Sequence, residues 1–310
     1  MTLTLIAIAG GLGLLVLGGH LLVQGAVTLA LRLNVSPLVV GLTVVGFGTS
    51  TPELVTSLQA AWRDLPGIAV GNVVGSNICN ILLILGLAAL VYPVTVDRRA
   101  FRRDGAMLLA ATLLGVAVVL GGSLQRGFGL VLLAGLAAYL LIAYRAEAVS
   151  QEPEAVAPSR TPAWRAVAEA AGGIALTIVG AHLLVGAAVM LAADMGVPEA
   201  VVGLTVVALG TSLPELATSV VAALRRQPEV AFGNVVGSNI FNVLGILGVT
   251  ALVTPIAVPP QIAATDVWVM LGATLALILV ALRGTLGRAT GAVLLTGYAA
   301  YVAWLGVGLF

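Results

Sequence analysis

Apolar residues run along this chain in long blocks, interrupted at fairly even intervals by short polar or proline-bearing stretches. An α-helix crosses a bilayer with about 20 predominantly apolar residues. The interruptions predict ten such spans, at residues 3–23, 37–61, 69–91, 104–122 and 127–144, then at 165–190, 198–223, 231–253, 263–282 and 288–309. Between the two sets lies QEPEAVAPSRTP, residues 151–162, polar and proline-rich, which reads as a linker too short to fold by itself. The predicted organisation is a five-span unit over 1–144, a cytoplasmic linker over 145–162 and a second five-span unit over 163–310. MTLTLIAIAGGLGLLVLGGHLL at the N-terminus has no basic run ahead of its apolar core, so it reads as a retained first span and not a cleaved signal.

The two units are copies. Adding 162 to a position in the first gives its counterpart in the second: His20 and His182, Gly41-Leu42-Thr43 and Gly203-Leu204-Thr205, Pro52-Glu53-Leu54 and Pro214-Glu215-Leu216. GNVVGSNICN at 71–80 and GNVVGSNIFN at 233–242 agree at nine of ten positions. One offset holds from the first span to the fifth, which marks a duplication. An odd number of spans per copy forces the second copy to enter the membrane from the opposite side. The expected fold is therefore an all-α polytopic membrane protein, ten helices in two inverted five-helix repeats, an architecture typical of secondary transporters.

Charge supports the inversion and gives it a direction. All 14 basic residues are arginines. With the N-terminus outside the cytoplasm, twelve of them fall in inside loops and only Arg63 and Arg126 outside, as the positive-inside rule requires. The loop after span 3 carries Arg98, Arg99, Arg102 and Arg103, while its counterpart after span 8 carries none. Opposite orientation of the copies explains that swap. Both termini are expected outside the cytoplasm, in the plasma (inner) membrane of a prokaryote.

Composition narrows the function classes. The chain is 60% hydrophobic and 9% charged, against about one quarter charged in soluble domains. A formal net charge of +1 and the absence of any basic tract argue against a nucleic-acid partner. The bilayer is the one partner implied, and no protein partner is inferable. A single cysteine, Cys79, excludes an intrachain disulfide.

Against this background two carboxylates stand out. GFGTSTPELVTS at 46–57 and ALGTSLPELATS at 208–219 each place a glutamate, Glu53 or Glu215, inside an apolar span. An ionisable residue at that depth costs about 2.5–3.5 kcal/mol on insertion scales. The arginines lie in loops, so a bound cation is the partner left to offset the cost. Pro52 removes a backbone N–H and disfavours helical geometry at Thr51. Span 2 is therefore expected to break there, leaving carbonyls near Gly46 and Phe47 without partners, and span 7 is expected to break likewise at Pro214. Thr49 and Ser50 add hydroxyls, and Ser76 and Asn80, four apart, share a face of span 3. Thr211, Ser212, Ser238 and Asn242 repeat the set in the second copy. Folded about a two-fold axis, these residues converge on an oxygen cage with two carboxylates, suited to a hard cation such as Ca²⁺. The twelve-residue loop of soluble calcium sensors is absent.

With both motif pairs in hand, the chain resembles the sodium/calcium exchanger family within the cation/calcium antiporter superfamily. The resemblance covers all but the linker. It implies ten helices with spans 2, 3, 7 and 8 packed around the ion sites, spans 1 and 6 sliding against that core, and exchange of Na⁺ for Ca²⁺ as transported ions with no cofactor. The ion ligands it implies are Thr49, Ser50, Glu53, Ser76 and Asn80, then Thr211, Ser212, Glu215, Ser238 and Asn242, joined by carbonyls at Gly46 and Ala208. Some members carry an aspartate where this chain has Asn242, so the cage here holds at most two full negative charges. The Ca²⁺/H⁺ branch tends to have an acidic residue in the third-span motif, which here continues as GNVVGSN.

Other readings are weaker. A Ca²⁺/H⁺ antiporter of the same superfamily is the runner-up. A cation channel also lines its path with oxygens, but two inverted halves give two equivalent access states and not one continuous pore. An intramembrane protease needs an asymmetric nucleophile and base, whereas here every polar group has a copy, so no enzyme activity is expected. His20 and His182 read as packing or interface residues, and Asp104 and Asp266, near predicted helix starts, as caps or interface residues. Asn77 and Asn239 read as core hydrogen-bonding residues.

Overall fold

A computed structural model describes residues 2–33, 35–150, 162–194 and 208–307. The first repeat contains α1 (Thr2–Leu33), a bent pair α2a (Pro37–Thr49) and α2b (Thr51–Trp62), α3 (Pro66–Val91), α4 (Arg98–Leu120) and α5 (Arg126–Ser150). The second contains α6 (Ala163–Asp194), the described part of the seventh helix as α7a (Ala208–Thr211) and α7b (Leu213–Leu224), α8 (Pro228–Val253), α9 (Ile262–Ala281) and α10 (Arg288–Val307). Two short antiparallel ribbons sit between helices: β1 (Val94–Thr95) with β4 (Thr285–Leu286), and β2 (Ser123–Leu124) with β3 (Ile256–Ala257).

Most helices open as the sequence dictates. Pro37, Pro66 and Pro228 occupy the first turn of α2a, α3 and α8, where a missing N–H costs nothing. α1 continues ten residues beyond its predicted end at 23, because Val23, Ala26 and Ala30 are buried against neighbours despite Gln24 among them and Arg32 just beyond. α5 likewise runs on to Ser150, past 144. The predicted linker residues 151–161 and the start of the seventh span lie outside the described residues.

Contacts across the molecule obey the two-fold relation expected of inverted repeats. Val94 pairs with Leu286, and the counterpart pair is Ile256 with Leu124. Thr112 on α4 meets Thr274 on α9 at 3.3 Å, a contact between equivalent positions. α1 and α6 form the most extensive interface, and Gly11 faces Gly180 while Gly18 faces Gly173. Rising numbers on α1 against falling numbers on α6 mean that these repeat mates run antiparallel. The halves therefore have opposite orientation.

Small residues make that interface possible, as is usual between helices in lipid. A Cβ added at Gly18 meets Thr177 N at 2.7 Å and Gly173 O at 2.8 Å, both backbone atoms. A Cβ at Gly10, on the same helix, meets nothing within 4 Å. Gly18→Leu is expected to destabilise the detergent-purified protein by at least about 1–3 kcal/mol through overpacking, seen as a lower melting temperature. Gly10→Leu should melt with the parent; equal melting of both variants would remove the close α1–α6 contact from the account.

Lipid-facing surface completes the picture. Leu5, Ile6, Val16, Leu130, Val131, Leu279 and Val293 are exposed. The exposed Trp62, Trp164, Trp268 and Trp304 are of the type that anchors helices at the membrane–water interface.

Candidate functional site

Both predicted breaks are present. α2 bends by 43° at Ser50, whose φ of −81° and ψ of 9° leave the helix; Ser212 has φ −88° and ψ 7° between α7a and α7b. Pro52 and Pro214 fall in the first turn of the half-helices that follow, and so do Glu53 and Glu215. Each carboxylate thus sits on the N-terminal end of a half-helix, where the helix dipole favours negative charge.

The freed carbonyls are not where the sequence places them. Gly46 O accepts from Ser50 N–H at 3.2 Å and from Ser238 Oγ at 3.1 Å, and Phe47 O is 3.4 Å from Thr51 Oγ1. Helical bonding continues up to Ser50, so the missing N–H of Pro52 affects the carbonyl four residues back, at 48, and spares 46 and 47. Gly46 is also a point of close approach: a Cβ there lies 3.0 Å from Ser238 N.

The predicted side chains come together from four helices. Glu53 and Glu215 are fully buried, as are Thr49, Ser50, Ser212, Ser238, Asn80 and Asn242. Ser50 Oγ donates to Glu215 Oε1 at 2.8 Å, and its counterpart Ser212 Oγ donates to Glu53 Oε1 at 3.0 Å. Each glutamate is therefore held by the serine of the opposite repeat. Ser76 Oγ lies 3.3 Å from Ser212 Oγ. Thr211 is half-buried beside them, and Ala208 opens α7a one turn before Ser212.

Asn72 and Asn234, also in the doubled motif, were not singled out in the sequence and prove to be braces. Asn72 Nδ2 donates to Glu53 O and Ser57 Oγ, both at 3.0 Å, while Asn72 Oδ1 accepts from Thr211 Oγ1 at 3.3 Å. Asn234 repeats this with Glu215 O at 3.3 Å and Ser219 Oγ at 2.9 Å, its Oδ1 being 3.1 Å from Thr49 Oγ1. Their recurrence at an offset of 162 was the available signal. Asn80 and Asn242 begin π-helical turns, in which Leu85 N–H reaches Asn80 O and Leu247 N–H reaches Asn242 O; such turns are frequent at functional sites.

Among the described residues, four oxygens of this group are buried without a hydrogen-bond donor: Glu53 Oε2, Glu215 Oε2, Asn80 Oδ1 and Asn242 Oδ1. Leaving a buried acceptor unsatisfied costs about 1–3 kcal/mol, more for a charged one. Among the described residues no three His, Cys, Asp or Glu side chains gather as a metal centre, so the donor set is oxygen-rich with only two acids.

Residues read as bystanders divide. His20 and His182 are exposed on α1 and α6, while the carboxylates are sealed inside. The capping role expected for Asp104 and Asp266 does not hold. Asp104 lies inside α4, buried, with Arg103 Nε at 2.7 Å and Nη2 at 3.1 Å from its two oxygens. Asp266 accepts from Tyr301 Oη at 2.9 Å and caps nothing with its side chain. The two differ because position 103 is an arginine while its counterpart, 265, is a threonine.

Ten helices in inverted repeats, with a doubled carboxylate site at two broken helices, define a multi-span membrane transporter of the antiporter class. The comparisons agree, and the chain belongs to the sodium/calcium exchanger family: the pattern described as "Sodium/calcium exchanger protein" matches residues 3–145 and 166–307. It is 38% identical to the putative antiporter CaxA of Alkalimonas amylolytica, over 97% of this chain and 98% of that protein. It is 32% identical to the sodium/calcium exchanger MaX1 of Methanosarcina acetivorans, over 97% and 98%. A solved structure of the sodium-calcium exchanger NCX_Mj, soaked with zero Na⁺ and Ca²⁺, matches with a TM-score of 0.87 at 32% identity, covering 98% of this chain and 99% of that one.

Proposed function

We propose that the protein exchanges Na⁺ for Ca²⁺ across the membrane by alternating access, both ions competing for one oxygen cage. The observation that carries the reading is the set of four donorless buried oxygens on Glu53, Glu215, Asn80 and Asn242. Bound cations would supply the partner that each of these oxygens lacks, and the two carboxylates balance one Ca²⁺ or two Na⁺. Ser50, Ser212, Thr49, Thr211, Ser76 and Ser238 complete the lining, with the carbonyl of Ala208, while Gly46 O, already accepting from Ser50 and Ser238, braces the lining from behind. Hard oxygen donors alone favour such ions over softer metals. Antiport follows if α1 and α6, locked together by their glycines, move as one body past the four-helix core and expose the cage to each side in turn. Purified protein in proteoliposomes tests this. Ca²⁺ uptake should require an opposing Na⁺ gradient and should not be driven by K⁺ or H⁺ gradients. Uptake driven by H⁺ instead makes the protein a Ca²⁺/H⁺ antiporter, and uptake down a Ca²⁺ gradient alone makes it a channel.

The same reading includes an orientation: repeats at 1–144 and 163–310, joined by a cytoplasmic linker at 145–162, in a prokaryotic plasma membrane with both termini outside. A cysteine introduced at Ser159 is expected to resist impermeant thiol reagents in intact cells and to react after permeabilisation. Strong labelling in intact cells reverses the orientation.

A further inference from the structure

We propose that Asn77 and Asn239 are positioning residues which make Asn80 and Asn242 turn oxygen, and only oxygen, toward the ion; the inference rests on the cage proposed above. Asn80 Nδ2 donates to Asn239 Oδ1 and Asn242 Nδ2 donates to Asn77 Oδ1, both at 3.0 Å. An asparagine amide has a donor end and an acceptor end of nearly the same shape. Two facing amides therefore agree on a direction only relative to each other, and something outside them must set it.

The backbone sets it. Asn77 Nδ2 donates to Asn239 O, and Asn239 Nδ2 donates to Asn77 O, both at 3.4 Å. A backbone carbonyl accepts and never donates, so the nitrogens of Asn77 and Asn239 have only one allowed orientation. Their Oδ1 atoms then face Asn242 and Asn80. Those two must answer with nitrogen, which leaves their own Oδ1 atoms pointing the other way, buried and without a donor. Reversing any one amide sets acceptor against acceptor or donor against donor. Each repeat thus fixes the ligand of the other, across the two-fold relation.

The clasp has a chemical purpose. An amide that turned freely would offer its NH₂ to the ion part of the time, placing partial positive charge against a cation. Where a carboxylate stands in that position no clasp is needed, since both ends are oxygen.

That contrast provides the test. In the full-length purified protein, Asn77→Leu removes the acceptor behind Asn242 and should weaken Ca²⁺ binding by about tenfold in isothermal titration, the worth of a buried hydrogen bond together with its misoriented ligand. In an Asn242→Asp background the same Asn77→Leu change should weaken binding by less than about threefold. The mirror pair, Asn239→Leu with and without Asn80→Asp, should behave alike and stands in if Asn77→Leu does not fold. Melting curves of each variant report folding separately. A tenfold loss that persists undiminished beside the aspartate overturns the proposal, for Asn77 then acts through packing. Asn242→Leu separates the two levels: if it leaves Ca²⁺ affinity unchanged, the cage itself fails and this inference with it. If it weakens binding while the cycle shows no coupling, only the clasp fails.

Discussion

Glu53→Gln and Glu215→Gln should each reduce Na⁺-driven Ca²⁺ flux at least about 100-fold while leaving a folded, inserted protein. In the proposed cage each glutamate supplies half of the fixed charge, and among the described residues no arginine forms an ion pair with either one. At a separation of 4 Å and an effective dielectric constant of about 20, one unit charge against another is worth about 4 kcal/mol. For a divalent ion the loss is larger, and 1.4 kcal/mol is already tenfold in affinity. Glutamine has the same shape and keeps an oxygen, so Ser50 and Ser212 retain an acceptor at the 2.8 and 3.0 Å contacts. It also removes the cost of burying a charge, so insertion and thermal stability should survive. The pair of variants in proteoliposomes, with a melting curve beside each, is the measurement. Normal flux in either one places the ion elsewhere.

Apparent Ca²⁺ affinity should fall steeply as Na⁺ rises, with the square of its concentration if two Na⁺ replace one Ca²⁺. Two carboxylates hold about two positive charges in a low-dielectric cavity; Ca²⁺ with a full load of Na⁺ would crowd like charges within a few ångströms. Well above the range in which Na⁺ binds, a tenfold increase in Na⁺ then raises the apparent Ca²⁺ dissociation constant about 100-fold, about 2.7 kcal/mol. Mutual exclusion of this kind turns a shared site into an exchanger. On the proposed mechanism the cage is neutralised well enough to close with either cargo, whereas two bare carboxylates are costly to seal away from water. Isothermal titration of Ca²⁺ at a series of Na⁺ concentrations gives both the competition and its power. An affinity indifferent to Na⁺ separates the two sites and ends the shared-cage mechanism.

Much of this was written in the sequence because duplication prints its evidence twice. The glutamates, the prolines and the GNVVGSN runs declare themselves by recurring at one offset, and an odd span count then dictates inversion. Roles that depend on pairs across the two halves are less visible. Asn72, Asn77, Asn234 and Asn239 recur as faithfully as Glu53 and Glu215, but recurrence does not say that Asn72 accepts from the Thr211 hydroxyl or that Asn77 accepts from Asn242. Those pairings exist only after the copies turn about an axis. Helix ends were legible to within a few residues where proline or arginine marks them. The end of α1 was not, since Gln24 and Arg32 look like a boundary until neighbouring helices cover the alanines between them. Asp104 illustrates the same limit: near a helix start in sequence, it is an interior ion pair because α4 begins six residues earlier, at Arg98.

The contact between Thr112 and Thr274, and the reciprocal bonds between Asn77 and Asn239, join positions that are equivalent in the two repeats. These are the contacts of a homodimer. A single five-helix polypeptide, inserted half the time in each direction, would form every one of them with a second molecule of itself. Fusion gave such a pair what two separate molecules lack: each half became free to change alone. The arginines could differ between the halves, four of them following the third helix and none the eighth, and position 103 could become arginine while 265 became threonine. Cys79 and Phe241 parted in the same way, so that Phe241 stacks on Phe47 with ring centroids 4.4 Å apart, while their counterparts, Cys79 and Leu209, offer no ring to repeat the contact. The inner polar clasp stayed symmetric through all of this, and it is at the periphery that the two faces of the membrane became chemically distinguishable.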